Sequence, residues 1–505
     1  MLIAGCVAGP SDRPAIIAQD DPGPDADRDD DRSPDEVPLP PLGEPESPSL
    51  TWHPCEDEAA ERFGEHDLTG SFEVSCATAT GVLDPPGQPD RGMIRIALVR
   101  IGSGDIPLLA VNDIGGEPGS AYAARLAGGL PEEMLDEFSL VGVDRRYSGL
   151  SRPNDCIEPD TRERMLNFDP AADDVNPLLN VTSSAGQQCT IELANEQGAL
   201  DTWRTAGDLE QIREQLGMPR LHAIASGEGF DVLDRYAQRY PDTVGRFVAD
   251  GAVDPTDNAE VRWEGAAESA EQALDAFARD CEHRDCPLDG PARQRVGELI
   301  EQLRDDPLMA SGGLEMGPGL ALHAMWSGLG QRDRWPELAD ALAAARDGDA
   351  EPLAGFVEPM LRSSASGPPR LDTAWATRCN DTGTRLSPER INELSAEWRE
   401  QYPVFGGLAA QPLVWCAPWP TVDSPGDDGE LGEQLPPMLM ISTDADPLVP
   451  KEGTERRAMQ LPNTVTVAWH GTGRGALGHS ACAAERVQEF LGDGEIPAGG
   501  TPCPA

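Results

Sequence analysis

Seven short apolar runs recur along the chain, at 94–101, 107–111, 138–143, 221–225, 246–250, 438–442 and 465–469. None alternates strictly between apolar and polar residues, so each reads as a strand buried on both faces. Between them the apolar spacing switches to the helical period, as at 206–216, 230–238 and 483–491. Strand alternating with helix predicts an α/β fold with a mostly parallel, doubly wound sheet. From about 256 to 400 the strand-like runs stop. Helical segments at 262–279, 292–303, 335–346 and 388–398 take over. That profile predicts a helical cap at 256–400, inserted between core parts at 50–255 and 401–505.

Residues 1–49 carry neither pattern. From 10 to 48 the chain is rich in Pro and Asp, as in Asp27-Arg28-Asp29-Asp30-Asp31. Such a stretch buries too little apolar surface to offset the entropy of folding, and its like charges repel. It is expected to be a stiff tether. Ahead of it, Ile3-Ala4-Gly5-Cys6 resembles a bacterial lipobox, in which Cys6 would carry the lipid. The charged start and longer apolar run that normally precede such a box are missing. The expectation is an exported or surface-anchored protein that touches the membrane only through Cys6. No run is long and apolar enough to span a bilayer.

Charge narrows the partners. Acidic residues outnumber basic ones by 89 to 39, for a formal net charge of −50. Phosphate backbones and anionic lipid surfaces would be repelled, which excludes nucleic acid as a partner. Cysteine usage narrows the compartment. Eleven cysteines point to an oxidising one. Apart from Cys6 they fall into neighbouring couples: Cys55 with Cys76, Cys156 with Cys189, Cys281 with Cys286, Cys379 with Cys416, and Cys482 with Cys503. Spacing alone does not fix connectivity, but sequential pairing closes the shortest loops. The rival, a metal site, lacks any Cys-x-x-Cys pair, and the seven histidines are scattered. No cofactor or metal is expected.

Five segments in order carry a family resemblance. They are Asn112-Asp113-Ile114-Gly115-Gly116-Glu117-Pro118-Gly119, Val143-Asp144-Arg145-Arg146-Tyr147-Ser148-Gly149-Leu150-Ser151, and the stretch from Arg235 to Pro255. The others are Thr443-Asp444-Ala445-Asp446-Pro447 and the C-terminal part with Cys482, Pro497 and Cys503. Together, from about Trp52 onward, they resemble the secreted tripeptidyl aminopeptidases of actinobacteria and their proline-iminopeptidase relatives. That resemblance implies an α/β-hydrolase fold, a serine-peptidase triad, an oxyanion loop at Gly115 and Gly116, and Asp446 as the triad acid.

The triad itself reads as damaged. A nucleophile in this fold sits on a strained strand-to-helix turn, with small residues two places before and after it. In Ile224-Ala225-Ser226-Gly227-Glu228-Gly229, Ser226 would be flanked by Ile224 and Glu228, which are not small. Gly227 is flanked by Ala225 and Gly229, which are. The nucleophile seat is therefore Gly227, which has no side chain. The family's histidine loop is Gly-x-Gly-His-Gly, where this chain reads Gly471-Thr472-Gly473-Arg474-Gly475. Arg474 stays protonated and accepts no proton. An ion pair between Arg474 and Asp446, lowering the pKa of the carboxyl, is expected. Glu228 would lend its N–H to the oxyanion hole while its carboxylate opposes a developing oxyanion.

The leading expectation is an inert, peptide-binding or structural relative. Two alternatives stand beside it. One is an active serine aminopeptidase or esterase using Ser226 with Asp446 and His479 or His470, acting on a peptide or a small ester or amide. The other is a different chemistry built on Glu228 and Asp446.

Overall fold

The computed structural model describes residues 37–63, 72–256, 258–421 and 434–505. Cys6 and the tether up to residue 36 lie outside the described residues. One compact unit runs from Val37 to Ala505. Residues 37–49, expected to belong to the tether, instead pack on the folded body. Pro40 is buried and its carbonyl accepts from Arg246 Nε at 3.1 Å. Leu39 and Leu42 pack against the core, and Glu46 N donates to Gly217 O at 2.7 Å. These contacts hold a Pro-rich segment whose stiffness leaves it less conformational entropy to lose.

Among the described residues there are twelve strands: β1 His53–Pro54, β2 Val74–Val82, β3 Met93–Ile101, β4 Ile106–Val111, β5 Phe138–Val143, β6 Leu221–Gly227, β7 Val244–Ala252, β8 Leu308–Met309, β9 Glu315–Met316, β10 Met438–Ala445, β11 Thr464–Thr472 and β12 Thr501–Cys503. Ten form one sheet in the order β1-β2-β3-β5-β4-β6-β7-β10-β11-β12. All seven of the expected runs are strands of this sheet. From β5 to β12 every neighbouring pair is parallel, while β1, β2 and β3 add antiparallel pairs at one side. This is the α/β-hydrolase fold. β2 escapes a search for apolar runs because Ala, Thr and Ser fill it, yet it pairs with β3 from Val74↔Ile101 to Val82↔Met93.

Side chains alternate across the central strands. Leu109, Val111, Ala223 and Ala225 enter one core layer; Leu108, Ala110 and Ile224 enter the other. Both faces are therefore buried, which is why these strands read as continuous apolar runs. The first layer continues without a break into the helices that follow β7. Ala259–Arg284 starts where Asn258 accepts from Glu260 N, and Pro388–Gln401 where Ser387 accepts from Arg390 N. The helical run passes residue 400 and includes Gly406–Trp415, with Cys416 bonded back to Cys379. β8 and β9 form a small hairpin within it.

All five cysteine couples are sequential disulfides, with Cα atoms 5.8, 4.7, 5.0, 5.1 and 5.6 Å apart in chain order. These fall in the range that a disulfide spans without moving the backbone.

Candidate functional site

β6 ends in the turn that the sequence singles out. Gly227 closes the strand with φ 54°, in the left-handed region that a residue without Cβ enters freely. The helix Gly229–Arg239 follows at once. At Gly229 a Cβ would lie 2.3 Å from Val111 O, so the small residue two places after the turn lets this helix start against β4. Ser226 lies on the other side. Following Ile224 in the alternation of β6, it belongs to the opposite face from Ala225 and Gly227, in register with Asp250 of β7.

A Cβ on residue 227 would meet Asp113 Oδ2 at 2.6 Å and Arg474 Nη2 at 2.9 Å. These two side chains form an ion pair, Nη2 to Oδ2 at 2.5 Å, and both are largely buried. Asp113 sits just past β4. Its Oδ1 accepts from Gly115 N at 2.8 Å, a local Asx-type turn. Its Oδ2 accepts from Glu228 N at 3.3 Å. Gly116 N is turned back onto Asp113 O at 3.0 Å. The expected oxyanion donors, Gly115, Gly116 and the N–H of Glu228, are thus all engaged by Asp113. Burial alone would raise its carboxyl; Arg474, then Arg378, then the two N–H groups outweigh burial and hold it well below the usual carboxylate range.

Arg474 does not pair with Asp446, contrary to the expectation from sequence. Asp113 reaches the guanidinium first, from the neighbouring loop. Asp446 already accepts from Leu448 N at 2.9 Å, Val449 N at 3.0 Å and Gly475 N at 3.4 Å. Burial pushes its carboxyl above its ordinary range rather than below it, with Arg474 and these N–H groups offsetting part of the rise. The loop that carries Arg474 is held in place by Asp250, which accepts from Ala476 N at 2.7 Å and Leu477 N at 3.0 Å. Burial pushes Asp250 up to about 6.

The two flanking histidines are engaged elsewhere. His470 is exposed and its Nδ1 lies 2.9 Å from Asp444 Oδ2. His479 stacks on Trp469 with 5.9 Å between ring centroids, and faces Asp333. Neither ring hydrogen-bonds to Ser226 among the described residues. Glu228 is not a free carboxylate for acid–base work either. Arg378, from the helix Arg370–Asp381, holds it through Nε at 2.7 Å and Nη2 at 2.9 Å. The helices after β7 bind the acid loop as well: Ser269 Oγ donates to Asp446 O and Trp326 Nε1 to Pro447 O.

Beside the turn lies a cavity of about 140 Å³, walled by the sheet ends on one side and the helices on the other. Trp263, Trp375 and Trp415 line it, together with Arg145, Glu228 and Asp381. A crevice outside the carboxyl ends of parallel strands is where α/β sheets take ligands. Asp113, Arg378 and Asp381 were not singled out by sequence. Asp113 had a signal, an acid two residues before Gly115; the other two come from a helix whose sequence looks like any amphipathic segment.

Residues 402–503 match the family model described as TAP-like protein. Serine protease Hip1 of Mycobacterium tuberculosis (strain ATCC 25618 / H37Rv) is 26% identical over 497 residues, covering 92% of each chain. Tripeptidyl aminopeptidase of Streptomyces lividans is 22% identical over 451 residues, covering 85% of this chain and 83% of the relative. Among solved structures, a thermophilic esterase from Thermogutta terrifontis aligns over 83% of this chain and 99% of its own, at 14% identity and a TM-score of 0.39.

Proposed function

We propose that this chain, similar along most of its length to serine peptidases, is an exported non-catalytic relative of the tripeptidyl aminopeptidases that keeps their fold and a ligand cleft. One observation carries the reading: the nucleophile seat, Gly227, has no side chain, and the space a side chain would need is filled by the Asp113–Arg474 pair. Acyl transfer needs a nucleophile, a base within hydrogen-bond reach and an open set of oxyanion donors. Here the first is missing, an arginine stands for the second, and a carboxylate occupies the third. Without a triad, binding and donors alone would leave roughly 10³–10⁴ over water at best.

The five disulfides fit export. No helix among the described residues is long and apolar enough to cross a membrane. Attachment, in this reading, runs through a lipid on Cys6. The partner is a peptide or a small amide or ester held without turnover, and not nucleic acid. A fluorophosphonate probe and a panel of peptide arylamides test the proposal. The expected result is no covalent labelling and no release of arylamine above background; labelling at Ser226 would overturn it.

A further inference from the structure

Arg145 and Trp415 line the cavity from different elements, and each carries a buried donor with no acceptor. Arg145 follows β5, on the sheet side, and is 1% exposed. Its Nε has no hydrogen-bond partner, and its guanidinium makes one long bond, Nη1 to Asn112 O at 3.5 Å. Among the described residues no carboxylate comes within ion-pair distance of it. The next residue shows the ordinary arrangement: Arg146 places Nε and Nη2 on the two carboxylate oxygens of Asp208, at 2.7 and 2.8 Å. Trp415 ends the helix Gly406–Trp415, on the other side, and is 5% exposed. Its ring stacks on His323, and the following residue is pinned by the Cys379–Cys416 disulfide. Its Nε1 has no acceptor, whereas the neighbouring Trp375 donates its own to Trp415 O at 3.0 Å. Both groups can only donate. A buried cation without a counter-ion and a buried donor without an acceptor are each costly. One kind of group relieves both, an acceptor that carries negative charge.

Resting on the reading of a cleft that holds its ligand without turnover, we infer that the cavity is a receptor for an apolar monocarboxylate, whose carboxylate takes the free N–H groups of Arg145 and Trp415. Arg145 offers the planar donor fork that carboxylates accept. Its single positive charge calls for a single negative one, because Asp113, Glu228 and Asp231 on the same wall are already matched by Arg474, Arg378 and Arg457. Trp263, Trp375 and Leu413 supply apolar surface for the body of the ligand. The size agrees: a cavity of about 150 Å³ takes a benzene-sized molecule, and this one is about 140 Å³. Burial pushes the pKa of Arg145 down, and Glu228, Asp381, Asp113 and Asp231, standing further off, offset only part of the fall; a carboxylate in contact would raise it again. The same chemistry is offered by a free arylalkanoic acid and by the C-terminal residue of a peptide.

Titration calorimetry of the full chain at about pH 7, where a carboxylic acid is ionised, tests this with phenylacetate, phenylacetamide and N-acetyl-L-phenylalanine. At least one of the two acids is expected to bind, and phenylacetamide about tenfold more weakly than the better acid, the loss of one charge-assisted contact. Phenylacetate as the better ligand assigns the site to free acids, and N-acetyl-phenylalanine assigns it to peptide C-termini. Arg145→Met should erase the preference for acid over amide. Trp415→Phe, which keeps the ring and removes the N–H, should weaken the acid about threefold or more. Should Arg145→Met fail to fold, the comparison of acid with amide on the wild-type chain still decides. Equal affinity for acid and amide overturns the inference, as does no heat from either acid at about 10 mM, a weaker-than-millimolar site. Neither outcome touches the catalytic question, because these ligands form no acyl-enzyme. A chain labelled by fluorophosphonate would fail the proposed function and leave this test standing.

Discussion

Asp113 Oδ2 lies 2.5 Å from Arg474 Nη2, and the two atoms stand 2.6 and 2.9 Å from where the first atom of a side chain on residue 227 would be. In the proposed reading, the missing nucleophile and the missing base are therefore coupled through one ion pair. Arg474 needs a carboxylate, and Asp113 supplies it beside Gly227, where on that reading the nucleophile would stand.

Restoring only the two triad residues should not restore chemistry. Gly227→Ser with Arg474→His leaves Asp113 in contact with the new side chain and on the donors of Gly115 and Glu228. Adding Asp113→Gly clears both. Fluorophosphonate labelling and arylamide turnover are expected from the triple variant alone, since such groups act as a unit. Labelling of the double variant to the same extent would show that Asp113 yields without being removed.

The ion pair should behave as a coupled unit in stability. Arg474→Ala strands Asp113, and Asp113→Ala strands Arg474; each is expected to cost about 3–5 kcal/mol. The double substitution should cost clearly less than the sum of the two. Urea unfolding of the four chains measures it. Additive losses would mean that the two charges are held by the rest of the site independently.

Asp381 sets a pH dependence with a definite sign. Its carboxyl is pushed from 3.8 to about 7, so the folded chain holds this proton more tightly than the unfolded one. Below about pH 4 both states are protonated and the group contributes nothing. Between about 4 and 7 the unfolded state releases the proton first, and stability falls as pH rises; above about 7 the loss is complete and constant. Asp250, pushed up to about 6, adds to the same slope. The melting temperature of Asp381→Asn relative to wild type should therefore climb from about pH 4 to 7 and then level off. A difference independent of pH would place the titration elsewhere.

Reduction should weaken the fold unevenly. Loops of 33 and 37 residues, closed by Cys156–Cys189 and Cys379–Cys416, are each expected to contribute about 2–4 kcal/mol. Cys281–Cys286, separated by 5 residues, should contribute least. Pairwise Cys→Ser variants compared by thermal unfolding order them.

Much of this is legible in the sequence, for reasons that can be named. A turn such as that at Gly227 imposes local demands, small flanks and a tolerance for positive φ, and local demands leave marks on neighbouring residues. Parallel strands buried on both faces leave apolar runs, and β6 and β10 were visible in that way. What the sequence hides is the partner of a charge. Arg474 could be seen to need a carboxylate, but the choice between Asp446 and Asp113 depends on which acid is already supplied with backbone N–H groups. That is a property of loop geometry from segments more than 300 residues apart. Arg145 was in plain view within its motif, while the absence of a carboxylate in ion-pair contact with it among the described residues appears only when every neighbour has been placed.

Several bonds tie the inserted helices to the strand ends, among them Arg378 to Glu228, Ser269 to the carbonyl of Asp446, and Trp326 to the carbonyl of Pro447. A lid that opened by swinging as a body would have to break all of them together. Access to the cavity is then a matter of small, frequent breathing of side chains at its mouth rather than rare hinge opening. On denaturation the helices and the sheet should melt in a single cooperative transition, with amide protons of both exchanging through the same global event.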